Sequence, residues 1–146
     1  MQRPLTDRET LTANKETTRQ IIERIFVRQE DEAIDELVAE DFTPRTFGPM
    51  PPGREGLREG MKRAGAGVSD AEFTIHDLIA EGDCVAARLT TSARHTGMFM
   101  GIEPSGRRYS NEELHIFRIR DGQLVEHWHA FDTASLMAQL RGEGQQ

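Results

Sequence analysis

The spacing of apolar residues changes near Gly67, and this change constrains the fold more than any other feature of the sequence. Before Gly67, apolar residues recur every three or four positions, as they do in helices that bury one face. After it, they alternate with polar residues, as they do in half-buried strands. Helices, then an antiparallel meander and a final helix, predict an α+β cone in which the N-terminal helices close the concave face of a curved sheet.

Three helices are predicted in the first part of the chain. The first begins at Asn14, whose side chain can cap it, and buries one isoleucine-rich stripe. Two shorter helices follow, at Asp31–Ala39 and at about Gly53–Ala64. Between them the prolines of Asp41–Pro52 predict a loop, because proline is not tolerated in a helix interior.

The second part of the chain predicts four strands and a last helix. The strands are Ala71–Glu81, Cys84–His95, Arg108–Arg120 and Leu124–Phe131, and the helix is Thr133–Leu140 with Thr133 as its cap. In the first of these strands the apolar residues are odd-numbered up to Ile75 and even-numbered from Leu78. This change of face predicts a bulge near His76–Asp77.

The last two strands form a predicted hairpin around Asp121–Gly122, and the length of its loop decides which residues face each other. A two-residue loop would place Glu126 in the row of apolar residues. A three-residue loop, with Gly122 in the left-handed bulge position, keeps odd positions opposite odd ones, and we favour it. This register pairs Phe117 with Val125 and His115 with His127, and it brings Glu113 near His129.

A chain of 146 residues has the length of one domain, and its composition argues against several classes of function. The net charge of −7 argues against a nucleic-acid partner, whose phosphates need clustered cationic surface. No apolar run is long enough to cross a membrane, and a single cysteine excludes an internal disulfide. We expect a flexible arm over residues 1–13, one domain over residues 14–141 and a tail over residues 142–146. Because the first thirteen residues contain no apolar run, we expect a cytoplasmic protein.

Candidate functional residues lie on one face of the predicted hairpin. Polar groups on the inner face of a small domain are costly unless they are paired, so histidines and a carboxylate interleaved with phenylalanines predict a lined cavity. The residues are Glu113, His115, Phe117, His127, His129 and Phe131. Two other interpretations stay open. The row can consist of hydrogen-bonded core or outward-facing residues, or its three histidines can bind zinc with one open position.

The opposite face of the hairpin carries Leu114, Ile116 and Trp128, which would be exposed in a monomer. An apolar outer face predicts a homodimer formed through this surface. Two further features lie at the end of the second predicted strand and in the loop that follows it. His95 is expected to be exposed at a strand end. The apolar segment Met98–Ile102 is expected to cover a cavity mouth, to face a partner, or to pack as a small separate core.

Several motifs, spread in order over about Lys15–Leu140, occur together in one known family. They are Pro51–Leu57, His95–Gly97 with Met100–Ile102 and Pro104–Arg107, Ile116–Arg118 with Asp121–Gly122, and Val125–Trp128 with Asp132. In these motifs the chain resembles the SnoaL-like polyketide cyclases, small members of the nuclear transport factor 2-like superfamily. The resemblance implies the cone-shaped α+β barrel of that superfamily.

The resemblance also implies a deep pocket and an intramolecular aldol ring closure of an aromatic polyketide ester, without metal or cofactor. In that family a pocket histidine and an aspartate act on the substrate. His115 matches the histidine, and His129 stands where the family has the aspartate. Either this imidazole has taken over the proton transfer, or the aldol activity is absent.

We expect His129 to act as the acid/base group, because an imidazole exchanges protons readily near neutral pH. His115 would act with it, and both His115 and His127 would orient or polarise oxygens of a hydrophobic small-molecule substrate. Further substrate contacts are expected from Glu113, Phe117 and Phe131. Asp132 matches another frequent acid of the family, but on the even face it can instead bond the backbone near the last helix.

One fold can host many functions, so the resemblance leaves other functions open. The first is a non-catalytic ligand-binding or accessory protein of a biosynthetic pathway. The second is another acid/base reaction in the same pocket, such as dehydration, isomerisation or epoxide opening. The third is a dimeric scaffold whose outer face matters more than its pocket.

Overall fold

The computed structural model describes residues 3–45 and 51–143. Their helices are α1 (Asp7–Gln20), which continues as a π-helical segment (Ile21–Val27), α2 (Asp31–Leu37), α3 (Gly53–Gly67) and α4 (Thr133–Arg141). Their strands are β1 (Val38–Pro44), β2 (Val68–Glu81), β3 (Cys84–His95), β4 (Arg108–Arg120) and β5 (Gln123–Phe131). None of the described helices is both long and apolar enough to cross a membrane.

The described strands form one curved, unclosed sheet in the order β1-β5-β4-β3-β2. Strand β1 runs parallel to β5, and the other neighbours are antiparallel. The helices preceding β2 and the inner face of the sheet share one core, in which Ile21, Leu89 and Phe117 are fully buried. A second, smaller core lies under α4. The predicted α+β fold is thereby confirmed.

The first helix begins at Asp7, so the predicted start at Asn14 is wrong. Thr6 is the N-cap: its hydroxyl accepts a hydrogen bond from the backbone N–H of Glu9, and it donates one to the Glu9 carboxylate. The Thr-x-x-Glu pattern in the sequence is that of a capping box, here with the Glu9 carboxylate bonded to the Thr6 hydroxyl. Asn14 is instead a buried residue in the middle of the helix. Residues 7–13 of the predicted arm are therefore helical.

Strand β1 corrects the prediction of a loop from Asp41, and helix α2 ends at Leu37 instead of Ala39. Phe42 anchors the strand in the core with 1% of its surface exposed. Pro44 is tolerated at the end of β1, because β1 is an edge strand and a missing N–H there need not break a ladder. Residues 46–50 of the predicted loop lie outside the described residues.

The other predicted elements agree with the structure more closely. The bulge in β2 is confirmed, since its register with β3 shifts between Ile75 and Asp77. Helix α4 follows β5 as predicted, but its cap is Asp132 and not Thr133. The Asp132 carboxylate accepts from the backbone N–H of Ser135 at 3.0 Å, which is the backbone alternative left open for this residue.

The β4–β5 hairpin combines the two loop alternatives. Its loop has two residues, because Arg120 pairs with Gln123, so the favoured three-residue loop is wrong. A register shift after Arg118 then makes Val125 an extra residue, and odd positions face odd ones from there on. The resulting partners differ from the predicted ones by two residues: Phe117 pairs with His127, His115 with His129, and Glu113 with Phe131.

His95 is fully buried, so the expectation of an exposed strand end is also wrong. Its Nε2–H donates to the carbonyl oxygen of Ile102 at 3.1 Å, and its Nδ1 accepts from the backbone N–H of Ser105 at 3.2 Å. The connection between β3 and β4 folds back over the end of β3, and the hydrogen bonds of the imidazole hold it there.

Candidate active site

A cavity of about 480 Å³ lies between the inner face of the sheet and the helices. This volume is in the range typical of small-molecule sites. Its apolar wall includes Phe26 of the π-helical segment, Leu57 and Met61 of α3, and Phe73 of β2. Residues 98–100 of the β3–β4 connection also line it. Phe99 and Ile102 of the same segment pack against the second, smaller core, so the segment combines two of the three locations predicted for it.

One carboxylate joins two histidines in the wall of this cavity. An oxygen of Glu113 (Oε1) lies 3.0 Å from Nε2 of His115 and 2.9 Å from Nε2 of His129. The Nδ1 of His115 lies 2.9 Å from Nε2 of His127. We call these four residues the histidine cluster. All four line the cavity.

Strand pairing explains how the cluster forms. Alternate residues of a strand share a face, which places Glu113 and His115 together on β4. His115 and His129 are direct partners across β4 and β5, and their rings stack with centroids 4.0 Å apart. The carboxylate can therefore reach both imidazoles at once.

The hydrogen bonds fix where the protons lie. A carboxylate can only accept, so His115 and His129 each donate their Nε2–H to Glu113. In the neutral His115 ring, Nδ1 then carries a lone pair and accepts the Nε2–H of His127. Donation thus runs from His127 through His115 to Glu113, and from His129 to the same carboxylate oxygen.

Burial and hydrogen bonding act in opposite directions on these groups. Burial raises the pKa of the Glu113 carboxyl, but the bonds from His115 and His129 outweigh it and lower the pKa to about 2. Burial lowers the pKa of His115, and the bond to Glu113 offsets only part of this. Burial also lowers the pKa of His127 well below its usual range. At neutral pH, Glu113 is therefore ionised, and His115 and His127 are neutral.

The phenylalanines of the predicted row have different positions. Phe131 lines the cavity, and its ring centroid lies 5.1 Å from that of His129. Phe117 is fully buried, and its ring centroid lies 4.8 Å from that of His127, on which it stacks. It packs behind the cluster and does not line the cavity, contrary to its predicted contact with substrate. Phe26 packs against His115 and His127 from the helical side.

A metal ion could be held by Glu113, His115 and His129, whose ligand atoms all lie within 4.8 Å of one another. This set differs from the three histidines considered from the sequence. Nε2 of His127 points at His115, and Glu113 takes its place in the set. One carboxylate and two imidazoles suit several divalent transition metals.

Sequence reasoning missed the polar residues Thr91, Tyr109 and Asn111 of the cavity wall, and also Gln29 and Arg63 on its helical side. Tyr109 and Asn111 continue the odd-numbered row of β4 on the N-terminal side of Glu113. The signal for them was the same alternation that identified the histidines, extended by four residues.

Comparison with known proteins relates this geometry to one family. The model of the SnoaL-like polyketide cyclase family matches residues 16–140. Over 46 residues the chain is 41% identical to aklanonic acid methyl ester cyclase DnrD of Streptomyces peucetius, a match covering 32% of each protein. Over 59 residues it is 37% identical to nogalonic acid methyl ester cyclase of Streptomyces nogalater, a match covering 40% of this chain and 44% of that protein. These matches span less than half of either relative.

Solved structures match over nearly the whole chain. TsrD of Streptomyces laurentii is 30% identical, with a TM-score of 0.76 over 93% of this chain and 98% of that one. IdmH of Streptomyces antibioticus, a candidate polyketide cyclase, is 31% identical, with a TM-score of 0.75 over 88% and 98%. A SnoaL-like protein from Jannaschia sp. CCS1 has a TM-score of 0.83 at 20% identity over 96% and 97%, which shows a shared fold.

Proposed function

This chain belongs to the SnoaL-like polyketide cyclase family, and from that premise we propose that it closes a ring in a hydrophobic, polyketide-like substrate by an acid/base aldol reaction without a cofactor. The observation that carries the proposal is the hydrogen bond from His129 Nε2 to the half-buried, ionised Glu113 at the cavity wall. A carboxylate that orients an imidazole and stabilises its protonated form is a recurrent arrangement for proton transfer.

In this mechanism His129 exchanges the proton with the substrate. Its Nε2–H is directed at Glu113, and the proposal assigns the proton exchange to Nδ1, the other nitrogen of the ring. Its protonation makes an imidazolium, and the negative charge of Glu113 at 2.9 Å stabilises that cation. This stabilisation is larger in the transition state, where the charge develops, than in the ground state.

The ring closure needs one proton and no change in composition. Nδ1 of His129 takes a proton from the carbon between an ester and a ketone, and the electron pair of the broken C–H bond is delocalised as an enolate. The enolate carbon forms a bond to a second carbonyl carbon of the same molecule. The π bond of that carbonyl breaks, and its oxygen takes the proton back from His129.

His115 and His127 act as positioning residues in this proposal. Both ring nitrogens of His115 are engaged, Nε2 with Glu113 and Nδ1 with His127. Since the side chain of His115 is only 3% exposed, it reaches the substrate less readily than His129, at 12%. His115 helps to keep Glu113 ionised and fixes its direction, and His127 holds His115 in place through its hydrogen bond.

Turnover of a candidate substrate tests the proposal. We expect the wild-type protein to convert aklanonic acid or nogalonic acid methyl ester, the compounds named for its relatives, into a product of unchanged mass. His129→Ala and Glu113→Gln should each lower kcat/KM by about 10²- to 10⁴-fold, the range typical of acid/base catalysis. Liquid chromatography with mass spectrometry measures both rate and product.

Glu112→Gln is the matched control, because Glu112 is the neighbouring glutamate on the exposed face of β4. It should keep wild-type turnover. Full activity of His129→Ala would overturn the assigned role. Binding without turnover would favour the non-catalytic function, and loss of water from the substrate would favour a dehydratase. Activity that is lost on dialysis against a chelator and restored by zinc would assign the cluster to a metal.

We also propose that the protein forms a homodimer through the outer face of its sheet. A row of paired residues crosses four strands there: Ile79, Ala86, Ile116 and Trp128. Ile79 is 67% exposed, Ile116 is 44% exposed and the adjacent Leu114 is 59% exposed. A contiguous apolar patch of this kind supports association with a second copy.

A further inference from the structure

Three polar side chains line the cavity on the N-terminal side of Glu113 and belong to no contact of the histidine cluster. Thr91, Tyr109 and Asn111 are 7%, 6% and 4% exposed, respectively. Thr91 and Asn111 are direct partners across β3 and β4. Tyr109 lies two residues before Asn111, so it shares the same face. We call these three residues the polar rung.

The polar rung has hydrogen-bonding capacity that the protein does not use. The hydroxyl oxygen of Thr91 is buried and has no hydrogen-bond partner within the described part of the chain. Across residues 3–45 and 51–143, no side-chain hydrogen bond is made by the amide of Asn111 or the hydroxyl of Tyr109 either. Buried polar groups are normally bonded, so the buried Thr91 hydroxyl, with two further polar side chains beside it in the cavity wall, requires an explanation.

The surroundings of the rung are apolar and aromatic. Phe73 is the partner of Thr91 on β2, and Phe99 stacks on Tyr109 with ring centroids 5.9 Å apart. Burial raises the pKa of Tyr109 to about 12, so its hydroxyl keeps its proton and can donate. The amide of Asn111 can both donate and accept. A flat apolar ligand with oxygens on its rim would pack against the aromatic rings and form hydrogen bonds with the polar side chains.

We propose that the polar rung binds hydroxyl and carbonyl oxygens on the rim of a flat, apolar part of the substrate. The inference rests on the proposed function, because it assigns the end of the substrate that does not react. Strands rise about 3.4 Å per residue, so Asn111 lies about 7 Å and Tyr109 about 14 Å from Glu113 along β4. A fused aromatic system bound at the rung therefore extends toward the histidine cluster, where its reactive side chain would lie.

Binding of two defined probes tests this inference without any turnover. The probes are 1,8-dihydroxyanthraquinone and anthracene, which share a three-ring frame and differ in their oxygens. Fluorescence titration of the purified protein should show tighter binding of the oxygenated probe. Thr91→Val and Asn111→Leu should each weaken that binding about tenfold, the value of one hydrogen bond, and leave anthracene unchanged.

Thermal unfolding of Thr91→Val separates binding from a structural role. Valine has nearly the shape of threonine and removes only the hydroxyl, which has no protein partner to lose. The variant should therefore be at least as stable as the wild type while it binds the oxygenated probe less tightly. The matched control is Thr90→Val, one residue away on the other face, where Thr90 bonds His76. It should leave both probes unaffected.

Several outcomes would overturn the inference. They are equal affinity of the wild type for both probes, equal losses for both probes in Thr91→Val, and no loss in either rung variant. Each would show that the rung is merely hydrated or structural. Because probe binding needs no proton transfer, an inactive wild-type protein that still discriminates between the probes would refute the proposed reaction and support the rung. Normal cyclase activity with equal affinity for the two probes would support the proposed reaction and refute the role of the rung.

Discussion

Burial of His115 and His127 couples the stability of the fold to pH. Both groups have a pKa lowered from the usual 6.5, so the unfolded chain takes up protons on them at a pH where the folded chain does not. Stability is therefore lost as the pH falls below about 6.5. Glu113 acts in the same direction at lower pH. Its pKa falls from 4.5 to about 2 on folding, so its contribution is lost as the pH falls through that interval.

We expect His127→Phe to reduce this pH dependence. The variant keeps a ring of similar size against Phe26 and Phe117, but removes the buried group that protonates on unfolding. The urea concentration at the unfolding midpoint of the wild type should decrease when the pH is lowered from 7 to 5. That of the variant should decrease less. Urea denaturation followed by circular dichroism measures both.

His76→Phe is the matched control for this experiment, because His76 is exposed on β2. It should keep the wild-type pH dependence. If His127→Phe had the same dependence as the wild type, His127 would take up no extra proton on unfolding, and its neutral state in the cluster would be wrong.

At the scale of elements, the alternation of residues predicted the strands and the members of the cluster but not their partners. Inward and outward faces of β3 and β4 follow from period two alone. The pairing of His115 with His129 depends on the bulge at Val125, which allows a two-residue loop and keeps Glu126 out of the apolar row. Valine is an ordinary strand residue, so the sequence carries no local mark of that bulge.

Strand β1 and the burial of His95 escaped prediction for a related reason. β1 is parallel to β5, its partner about 80 residues later in the chain, and such a pairing leaves no pattern within the strand itself. The burial of His95 depends on the fold of the following connection. Both features are set by contacts between distant segments, whereas the capping box of α1 is a local pattern that was overlooked.

His95 should contribute measurably to stability, because it holds the β3–β4 connection that lines the cavity. His95→Ala would remove the hydrogen bonds of the imidazole to the Ile102 carbonyl and to Ser105, leave the N–H of Ser105 without its partner, and open a small cavity. We expect the free energy of unfolding to fall by roughly 2–4 kcal/mol. Urea unfolding at 25 °C measures the loss.

The control for His95 is His76→Ala, an exposed histidine whose replacement should change the free energy of unfolding by less than about 0.5 kcal/mol. An equally small effect for His95→Ala would mean that the connection holds its position without the imidazole. In that case the two hydrogen bonds would be consequences of the fold and would add little to its stability.

At the scale of the whole molecule, the sequence indicated the family more firmly than the reaction. The motifs that carry the resemblance are turns, caps and strand residues, and these shape the cone. The proposed proton-transferring group depends on single positions, and the resemblance matches His129 to the aspartate of the family. The chemical role of a residue at such a position depends on the side chains beside it. The hydrogen bond of His129 to Glu113 depends on the register of β4 and β5, which the sequence did not predict correctly.

The outer face of the sheet is the surface through which we propose that two copies of the protein associate. Salt bridges such as Arg88–Asp77 and Arg118–Glu126 lie around its apolar row, and the Arg118 guanidinium lies 5.7 Å from the Trp128 ring centroid. A polar rim around an apolar centre is typical of protein interfaces. The cavity lies on the inner face, so association through the outer face leaves it accessible.

If the protein forms the proposed dimer, the double variant Leu114→Arg/Ile116→Arg should convert it into a monomer. Charged residues at the centre of a two-fold interface meet their own copies, so four like charges would be brought together. Light scattering after gel filtration should give twice 16.5 kDa for the wild type and 16.5 kDa for the variant. Leu5→Arg is the control, since Leu5 is 58% exposed but lies outside the sheet, and it should stay dimeric. A wild-type protein that runs as a monomer would remove the outer face as an interface, without affecting the proposal for the cavity on the inner face.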